Sequence, residues 1–339
     1  MIWENGYTAE YYMAIVDPAT WRDIERLEIR SGNITRNLDG LRENASLVCQ
    51  QYAQPVEQWV RVWLNTYQNG GSAHEPLFTG LATTPAKQFD GVRDNSTLTC
   101  YSVLKPVEDV LLLRGWYAAA GKNGAAVIKS LLGPTPAPIV IDAESPTLSE
   151  HIIAGDGETH LTMVDKILEA IDWRLRITGD GTIHISPKPT EESITLAPDM
   201  NDMVENQITV NEDLFSAPNV FAAFGSDLVG IAKDESQDSE LSTVNRGREV
   251  WASEQSVNLA DNETIEGYAL RKLREAQNVE KTAQYTRRYL PDILPGDLVK
   301  LKYQVQNLEG VFSIENQTVT LGYAARTNEG VKKWTASIN

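Results

Sequence analysis

The segment from Leu290 to Tyr303, LPDILPGDLVKLKY, constrains the fold more than any other part of the chain. Its two prolines fix φ and remove two backbone donors, and Gly296 permits a turn. Beyond the turn, Lys300 and Lys302 alternate with apolar residues, which is the pattern of a half-buried strand. We therefore predict a strand in the wall of a barrel or sandwich, entered through a rigid loop. None of its side chains is chemically reactive, which favours a structural role.

Short alternating apolar runs fill the chain from Tyr11 to about Val103 and predict a series of antiparallel strands. Turn-rich segments such as QNGGSAHEP, residues 68–76, separate them. FTGLATTP then suggests a further strand that passes through Gly80. The first part of the chain, residues 1–105, is therefore expected to form a β-rich domain.

One of these runs, WVRVWLN, carries large side chains on both faces of the predicted strand. Trp59, Arg61 and Trp63 share one face, and the other face carries only aliphatic residues. Both faces must therefore meet something apolar. Two interpretations stay open: a strand that lies between the core and a second layer, or a tryptophan-rich face between subunits.

The middle of the chain changes from strand periodicity to helix periodicity. THLTMVDKILEAI, residues 159–171, places its apolar side chains on one helical stripe. WRLRITGDGTIHISP follows and predicts a β-hairpin that turns at Asp180 and Gly181. We therefore expect a helical linker and a small α+β region over residues 106–244, and a last β-rich domain over residues 245–339.

Charge and hydropathy disfavour two classes of partner. The chain has 30 basic and 47 acidic side chains, a formal net charge of −17, whereas a surface that reads nucleic acid needs clustered Lys and Arg. No apolar run reaches about 18 residues, so no membrane span is expected. The N-terminal residues lack the basic and apolar regions of a signal peptide, and we expect synthesis in the cytosol.

The search for reactive motifs predicts neither a catalytic residue nor a cofactor or metal site. The four histidines are scattered, and neither HExxH, GxSxG nor a P-loop occurs. Carboxylates are abundant, but the sequence places no two of them across a cleft, as a glycosidase requires. The alternative function is a carbohydrate-binding module or glycosidase that uses the Trp-rich strand faces.

Two segments, taken with the order of the elements, carry a resemblance to a known family. They are SGNITRNLDGLRENASL, residues 31–47, and the PGD strand that is followed by GVFSIEN, residues 310–316. The chain resembles the tail hub proteins of bacterial viruses, a baseplate hub or tail-associated family that is also related to the core of type VI secretion spike proteins. The resemblance covers most of the chain in order and length.

The resemblance implies an α+β, mainly β protomer with two similar β-barrel-like domains. It implies a homotrimer, a ring that adapts the sixfold tail tube to a threefold tip, with no enzymatic activity. The expected partners are tail tube and distal tail proteins and a tail spike or tape-measure protein, and DNA would pass through without specific binding. The expected location is the virion tail tip, after synthesis in the bacterial host cytoplasm; a secretion-system spike component stays open.

For the interface itself, two strand faces are the candidates. The first is the Trp59, Arg61 and Trp63 face, and the second is the face with Lys300 and Lys302. We expect the lysines to lie on an edge strand, where they would either block edge pairing or pair with acids of a neighbour.

Overall fold

A computed structural model describes most of the chain. It covers residues 3, 6–50, 57–83, 86–89, 94–197, 203–212, 214–225, 228–255, 257, 264–277, 281–303, 308–322 and 325–334. The chain forms two compact units. Unit 1 comprises Met1–Ile208 and Gln284–Asn339, and unit 2 comprises Thr209–Ala283.

The described elements are mostly strands. The strands are β1 (Thr8–Asp17), β2 (Arg22–Asn37), β3 (Glu43–Gln50), β4 (Gln58–Gln68), β5 (Gly71–Ala82), β6 (Ala86–Phe89), β7 (Asp94–Ser102), β8 (Tyr117–Ala118), β9 (Ile139–Ile141), β10 (Ile152–Ile153), β11 (Trp173–Ile177), β12 (Ile183–Pro187), β13 (Glu192–Leu196), β14 (Met203–Glu212), β15 (Val220–Phe224), β16 (Val229–Lys233), β17 (Trp251–Gln255), β18 (Lys281–Arg287), β19 (Leu298–Tyr303), β20 (Leu308–Thr320) and β21 (Thr327–Lys333). The helices are α1 (Lys105–Glu108), α2 (Gly124–Leu131), α3 (His160–Ala170), α4 (Thr243–Arg246) and α5 (Ile265–Gln277).

Six strands of unit 1 pair in a closed circuit, in the order β1, β4, β5, β7, β3 and β2, with β2 returning to β1. Buried aliphatic side chains such as Leu47, Val62 and Leu98 form the core that these strands share. Cys49 and Cys100 are free thiols buried in the same core. The alternating runs of this part of the chain are therefore strands, while its extent as a domain stays a prediction.

The structure corrects the predicted turn segment between β4 and β5. Only Asn69 and Gly70 turn the chain, both with positive φ, and β5 already begins at Gly71. A two-residue turn of this kind matches the twist of the flanking strands, so the polar residues that follow it pair along the hairpin. The predicted turn was too long because the first residues of β5 are polar, as loop residues commonly are.

The sheet continues from the closed circuit through β20. Residues 316–320 of β20 pair with β2, and residues before them pair with β19, while β21 runs along most of the strand. A register shift between Ile314 and Asn316 lies where the partner changes. β21, β18 and β14 follow at that end of the sheet, and the chain crosses between the two units within β14 and β18.

The predicted strand Leu298–Tyr303 is β19, with Gly296 at φ +86° in its entry loop. It is not an edge strand, which corrects the prediction. β13 pairs with it on one side in parallel, and β20 pairs with it on the other side. Four of its residues are at most 2% exposed: Leu298, Val299, Leu301 and Tyr303.

A small α+β part of unit 1 contains the predicted helix and hairpin. Helix α3 begins after Thr159, whose side chain forms a reciprocal capping box with Thr162. β11 and β12 form the hairpin, and β9 pairs with β12 in parallel. α1, α2 and α3 share one apolar cluster with this sheet, so the middle region has a core of its own within unit 1.

Unit 2 has a three-stranded sheet, β16, β15 and β17, covered by helix α5 on one face. Phe221, Ala223 and Ala232 pack against Tyr268 and Leu273 of the helix.

The fold is α+β and mainly β, as predicted. The division into residues 1–105, 106–244 and 245–339 stays a prediction, and the compact units in this structure run along different boundaries.

Candidate functional site

The first candidate face, on β4, lies partly against another element of unit 1. The ring of Trp59 lies 5.6 Å from that of Trp21, and both pack against the apolar cluster of the α+β part. Arg61 is buried and donates to Asp23 Oδ1 at 2.6 Å and to the Asp180 carbonyl at 3.0 Å. These two residues therefore meet a second layer that the same chain supplies.

That second layer is the tip of the β11–β12 hairpin. The Asp180 carboxylate accepts from Thr178 Oγ1 at 2.6 Å and from Thr182 N at 3.1 Å, which closes the turn. Burial opposes ionisation of this carboxyl, but the hydrogen bonds from Thr178 and Thr182 outweigh it and lower the pKa of Asp180. The neighbouring Gly179 also contacts the sheet, because its carbonyl oxygen accepts a hydrogen bond from Thr79 Oγ1 of β5 at 2.8 Å.

Trp63, the third residue of this face, belongs to a stack on the surface of the sheet. Its ring lies 4.0 Å from the ring of His74, with an interplanar angle of 9°, and 6.3 Å from that of Tyr12. Arg26 lies 4.0 Å over the Tyr12 ring. This aromatic stack crosses neighbouring strands and remains accessible at His74 and Arg26, which are exposed.

The second candidate face, on β19, is only partly exposed. Lys300 pairs with Glu192 of the adjacent strand at 3.6 Å, and Lys302 is exposed. Because strands pair with β19 on both sides, the lysines do not serve to block pairing at a sheet edge. Their role in an interface stays a proposal, as does that of Trp59, Arg61 and Trp63.

A row of charged and polar side chains, which the sequence analysis did not identify, crosses five adjacent strands of the sheet. We call it the buried polar row, and each member is at most 3% exposed. Several members lie directly opposite each other in the strand register. Arg36 lies opposite Glu43 and also opposite Gln317. Gln317 in turn lies opposite Glu329. The members are Glu43 (β3), Arg36 (β2), Gln317 (β20), Glu329 (β21) and Arg287 (β18).

Hydrogen bonds connect the row where the β20 strand joins its neighbours. Arg36 Nη1 donates to Gln317 Oε1 at 2.5 Å, and Gln317 Nε2 donates to Glu329 Oε1 at 2.7 Å. Arg287 donates two hydrogen bonds to the same carboxylate, from Nε at 2.9 Å and from Nη2 at 2.5 Å. Such a forked contact fixes the geometry of both partners. The row therefore specifies which residues of β20 lie opposite β2 and β21.

Glu43 lies at one end of the row, where burial disfavours its ionised form. Its carboxylate lies 3.5 Å from Arg36 Nε, but burial outweighs this attraction and raises its pKa from the ordinary value of 4.5 to about 8. Within the described residues, neither carboxylate oxygen accepts a hydrogen bond. The acid is therefore favoured in its neutral form around neutral pH.

The shift at Glu43 predicts that stability falls as the pH rises. Between about 4.5 and 8 the folded state keeps a proton that the unfolded state releases, so the free energy of unfolding decreases across this window. Replacing Glu43 by Gln removes the titration and keeps the shape. We expect the decline in wild-type stability between about pH 5 and pH 8, measured by urea unfolding, to be larger than in Glu43→Gln.

A matched control for this comparison is Glu309→Gln, because Glu309 is an exposed acid of the same unit. This variant should keep the pH dependence of the wild type. Parallel pH profiles for wild type and Glu43→Gln would contradict the assignment.

The sequence contains a signal that identifies the buried polar row. In β18 the residues Ala283, Tyr285 and Arg287 alternate in one buried phase, and in β21 Glu329 shares the phase of Val331. A charged residue in the apolar phase of a strand has to be paired, because an isolated buried charge is costly. Arg36 and Glu43 also lie within the first segment that carries the family resemblance, and Gln317 directly follows the second.

Among the described residues, no group of three or more His, Cys, Asp or Glu side chains is arranged to hold a metal ion. A cleft of about 470 Å³ is lined by Arg42, Asp165 and Arg174. Arg42 pairs with Asp165 at 2.5 Å, and Arg174 pairs with Asp297 at 2.8 Å, so these charges neutralise each other inside unit 1. In the described part of the chain, no helix has the length and apolar character that a membrane crossing requires.

Comparison with known proteins shows the fold. No protein-family model matches the sequence, and no curated protein matches it. A 43 kDa tail protein of prophage MuSo2 from Shewanella oneidensis has a similar structure, with a TM-score of 0.66 and 14% identity over 96% of this chain and 97% of that chain. A tail protein from Neisseria meningitidis gives a TM-score of 0.62 and 14% identity, with the same coverage of both chains.

A third solved structure is more distant. The prophage tail protein gp18 from Listeria monocytogenes has a TM-score of 0.51 and 12% identity over 97% of this chain and 96% of that chain. In all three cases the likeness extends over nearly the full length of both chains. The expected resemblance in fold to phage tail proteins is therefore confirmed.

Proposed function

We propose that this chain, which has the fold of prophage tail proteins, is a structural protein of a phage or prophage tail tip. The observation that carries the proposal is the match over 96–97% of both chains with two tail proteins. A match of this extent covers the α+β part and both compact units together, and it is not limited to a common barrel. The opposed charges in the described cleft also favour a structural role over catalysis.

We further propose that three copies form a ring that adapts a sixfold tube to a threefold tip. A protomer with two similar strand sets presents six near-equivalent faces in a trimer, so a sixfold tube docks without a symmetry mismatch. The closed six-strand circuit supplies the first set. The second would be built around β19, β20 and β21, and β20 holds it to β2.

The proposed partners follow from this position in the virion. They are tail tube and distal tail proteins on one side, and a tail spike or tape-measure protein on the other. The net charge of −17 is suited to a channel that repels DNA phosphates and lets the genome pass without specific binding. The protein would be made in the bacterial host cytoplasm and would reach the tail tip by assembly.

Among the candidate interface residues, the structure favours the accessible aromatic stack around Trp63 over Trp59 and Arg61. The latter two already contact Trp21 and Asp180 of their own chain. Lys302 is the exposed member of the β19 pair and is free of the contact that Lys300 makes with Glu192.

The proposal is tested by the mass of the purified full chain in light scattering, alone and with a phage tail tube protein. We expect a trimer, alone or on binding the tube protein, because a threefold ring needs closed contacts between copies. The variant Trp63→Ala should weaken association, with circular dichroism to verify that it folds, and Trp251→Ala, at an exposed residue of unit 2, serves as its control. A persistent monomer that never binds a tube protein would contradict the proposed function.

A further inference from the structure

An exposed apolar patch lies on the α+β part of unit 1. We call it the leucine patch; its residues are between 57% and 83% exposed and consist of Leu111, Leu113, Tyr117 and Ile153. Single exposed aliphatic residues are common, but a group of four on adjacent backbone segments marks an interaction surface.

The leucine patch sits on ordered backbone. Ile153 lies directly opposite Tyr117 in the pairing of β8 with β10. The neighbouring Leu112 N donates to the Glu158 carbonyl at 2.8 Å, and Ala154 N donates to the Trp116 carbonyl at 3.0 Å. A partner would therefore meet a preformed surface and would pay little conformational entropy to order it.

The surroundings of the leucine patch are acidic. Residues 139–160 contain Asp142, Glu144, Glu150, Asp156 and Glu158, and neither Lys nor Arg. Glu158 is already paired with Lys166 at 2.5 Å, and Arg114 pairs with Asp156 at 3.8 Å with both side chains at least 80% exposed. Such a solvated pair is weak and leaves the acid available to another cation.

A second patch, on unit 2, has the complementary chemistry. We call it the arginine patch, and it consists of Phe215, Arg246 and Arg248. The phenylalanine side chain is 75% exposed, and the guanidinium of Arg248 lies 4.0 Å over its ring. Exposed aromatic and arginine side chains of this kind dominate the binding energy of many protein interfaces.

The arginine patch is held in one conformation. Arg246 Nη2 and Arg248 Nη2 each donate to the Phe215 carbonyl at 2.6 Å, and Arg246 Nη1 donates to the Ala217 carbonyl at 2.6 Å. The buried amide of Asn219 joins the same two loops through the carbonyls of Leu241 and Arg248, each at 3.0 Å. The exposed ring is therefore presented rigidly.

Within the described part of unit 2, both arginines of the arginine patch donate to neutral carbonyl oxygens, and neither forms an ion pair. Glu240 lines the same depression, while Glu249 is already paired with Lys233 at 3.0 Å. On a chain with a net charge of −17, a basic aromatic patch is the exception, and its complement is an acidic apolar surface.

We propose that the arginine patch of one copy of this chain binds the leucine patch of a second copy. Phe215 would pack against Leu113, and Arg248 would face Asp156. Each patch is open in the single chain, and each offers what the other needs in apolar surface and charge.

Because the two patches differ, the contact is heterologous: each copy uses one patch toward each neighbour, and a suitable rotation closes a ring. This inference deepens the proposed function, on which it rests, by adding a pair of surfaces between neighbouring copies to the aromatic stack around Trp63. It assigns one interface per neighbour, whereas an isologous contact would pair each patch with itself.

Cysteine cross-linking of the full chain tests the pairing of the patches. One preparation carries Leu113→Cys and the other Phe215→Cys, and they are mixed and treated with a short bis-maleimide. The native Cys49 and Cys100 are at most 1% exposed, so the introduced thiols are the reactive ones. We expect dimers that contain one chain of each kind, and a covalent trimer from the chain that carries both replacements.

Two matched pairs control for random collisions. Ile24→Cys replaces Leu113→Cys as another exposed residue of unit 1, and Trp251→Cys replaces Phe215→Cys in unit 2. Neither substituted pair should cross-link above background. Cross-linking of Phe215→Cys chains with one another, or yields equal to the controls, would overturn the proposed contact.

A charge exchange provides an independent measurement. Arg248→Glu should weaken association about tenfold, and adding Asp156→Arg should restore it, since the reversed pair still attracts. A loss that Asp156→Arg fails to restore would count against the contact.

These outcomes separate the inference from the proposed function. A trimer in light scattering without the Leu113–Phe215 cross-link overturns only the choice of surfaces. A monomer that binds no tube protein overturns the proposed function itself.

Discussion

Replacing Glu329 by alanine is expected to reduce the free energy of unfolding by about 3–5 kcal/mol. The carboxylate accepts both donors of the Arg287 fork and one from Gln317, and all three side chains are 0% exposed. Its removal leaves a buried guanidinium without a counter-charge. Chemical denaturation followed by tryptophan fluorescence measures the change, because every tryptophan except Trp251 lies in unit 1.

Two control variants separate the loss of a buried counter-charge from the loss of any ion pair. Lys188→Ala breaks the exposed pair with Asp172, whose side chains are 53% and 75% exposed, and should cost less than about 1 kcal/mol. Replacing both Arg287 and Glu329 by Met should cost less than Glu329→Ala, because no unpaired charge remains. If Glu329→Ala unfolds at the same denaturant concentration as Lys188→Ala, the buried polar row does not stabilise the sheet junction.

Replacing Gly179 by alanine is expected to displace the hairpin tip from the first sheet and to cost about 1–3 kcal/mol from steric conflict alone. A Cβ atom at this position would lie 1.8 Å from the Pro76 carbonyl oxygen, which is backbone and cannot rotate away. Movement of the tip would also break the hydrogen bonds to Asp180 from Trp21 and Arg61, each worth about 1 kcal/mol.

The readout for Gly179→Ala combines denaturation with near-ultraviolet circular dichroism, since the rings of Trp21 and Trp59 lose their fixed setting when the tip moves. Gly322→Ala is the matched control, because a Cβ there meets nothing within 4 Å. Equal stability and equal spectra of the two variants would show that the hairpin tip does not dock as described.

The local elements of the fold could be predicted from the sequence. The helix over residues 159–171, the hairpin around Asp180 and the strand from Leu298 to Tyr303 are all present, because each depends on a periodicity and on turn residues that lie within a few positions. The turn predicted at QNGGSAHEP is present, but the predicted segment was too long. Its polar residues continue as β5, since the Asn69-Gly70 turn needs only two residues.

The candidate site was predicted less completely. The alternation of WVRVWLN indicated that both faces of β4 are covered, but it did not indicate by what. The structure places the hairpin tip over Arg61 and an aromatic stack around Trp63. The edge position of Lys300 and Lys302 was wrong, because β13, which pairs with β19 in parallel, comes from a distant part of the chain.

The class of fold, the short-range elements and the resemblance to tail proteins could be predicted, because all of these depend on the order of residues along the chain. Which strands are neighbours and which charges are buried depends instead on contacts between distant parts of the chain. Arg36 and Gln317 are 281 positions apart, yet they face each other across β2 and β20. Alternation reports which face of a strand avoids water, but the partner that covers the face is chosen by packing and register over the whole sheet.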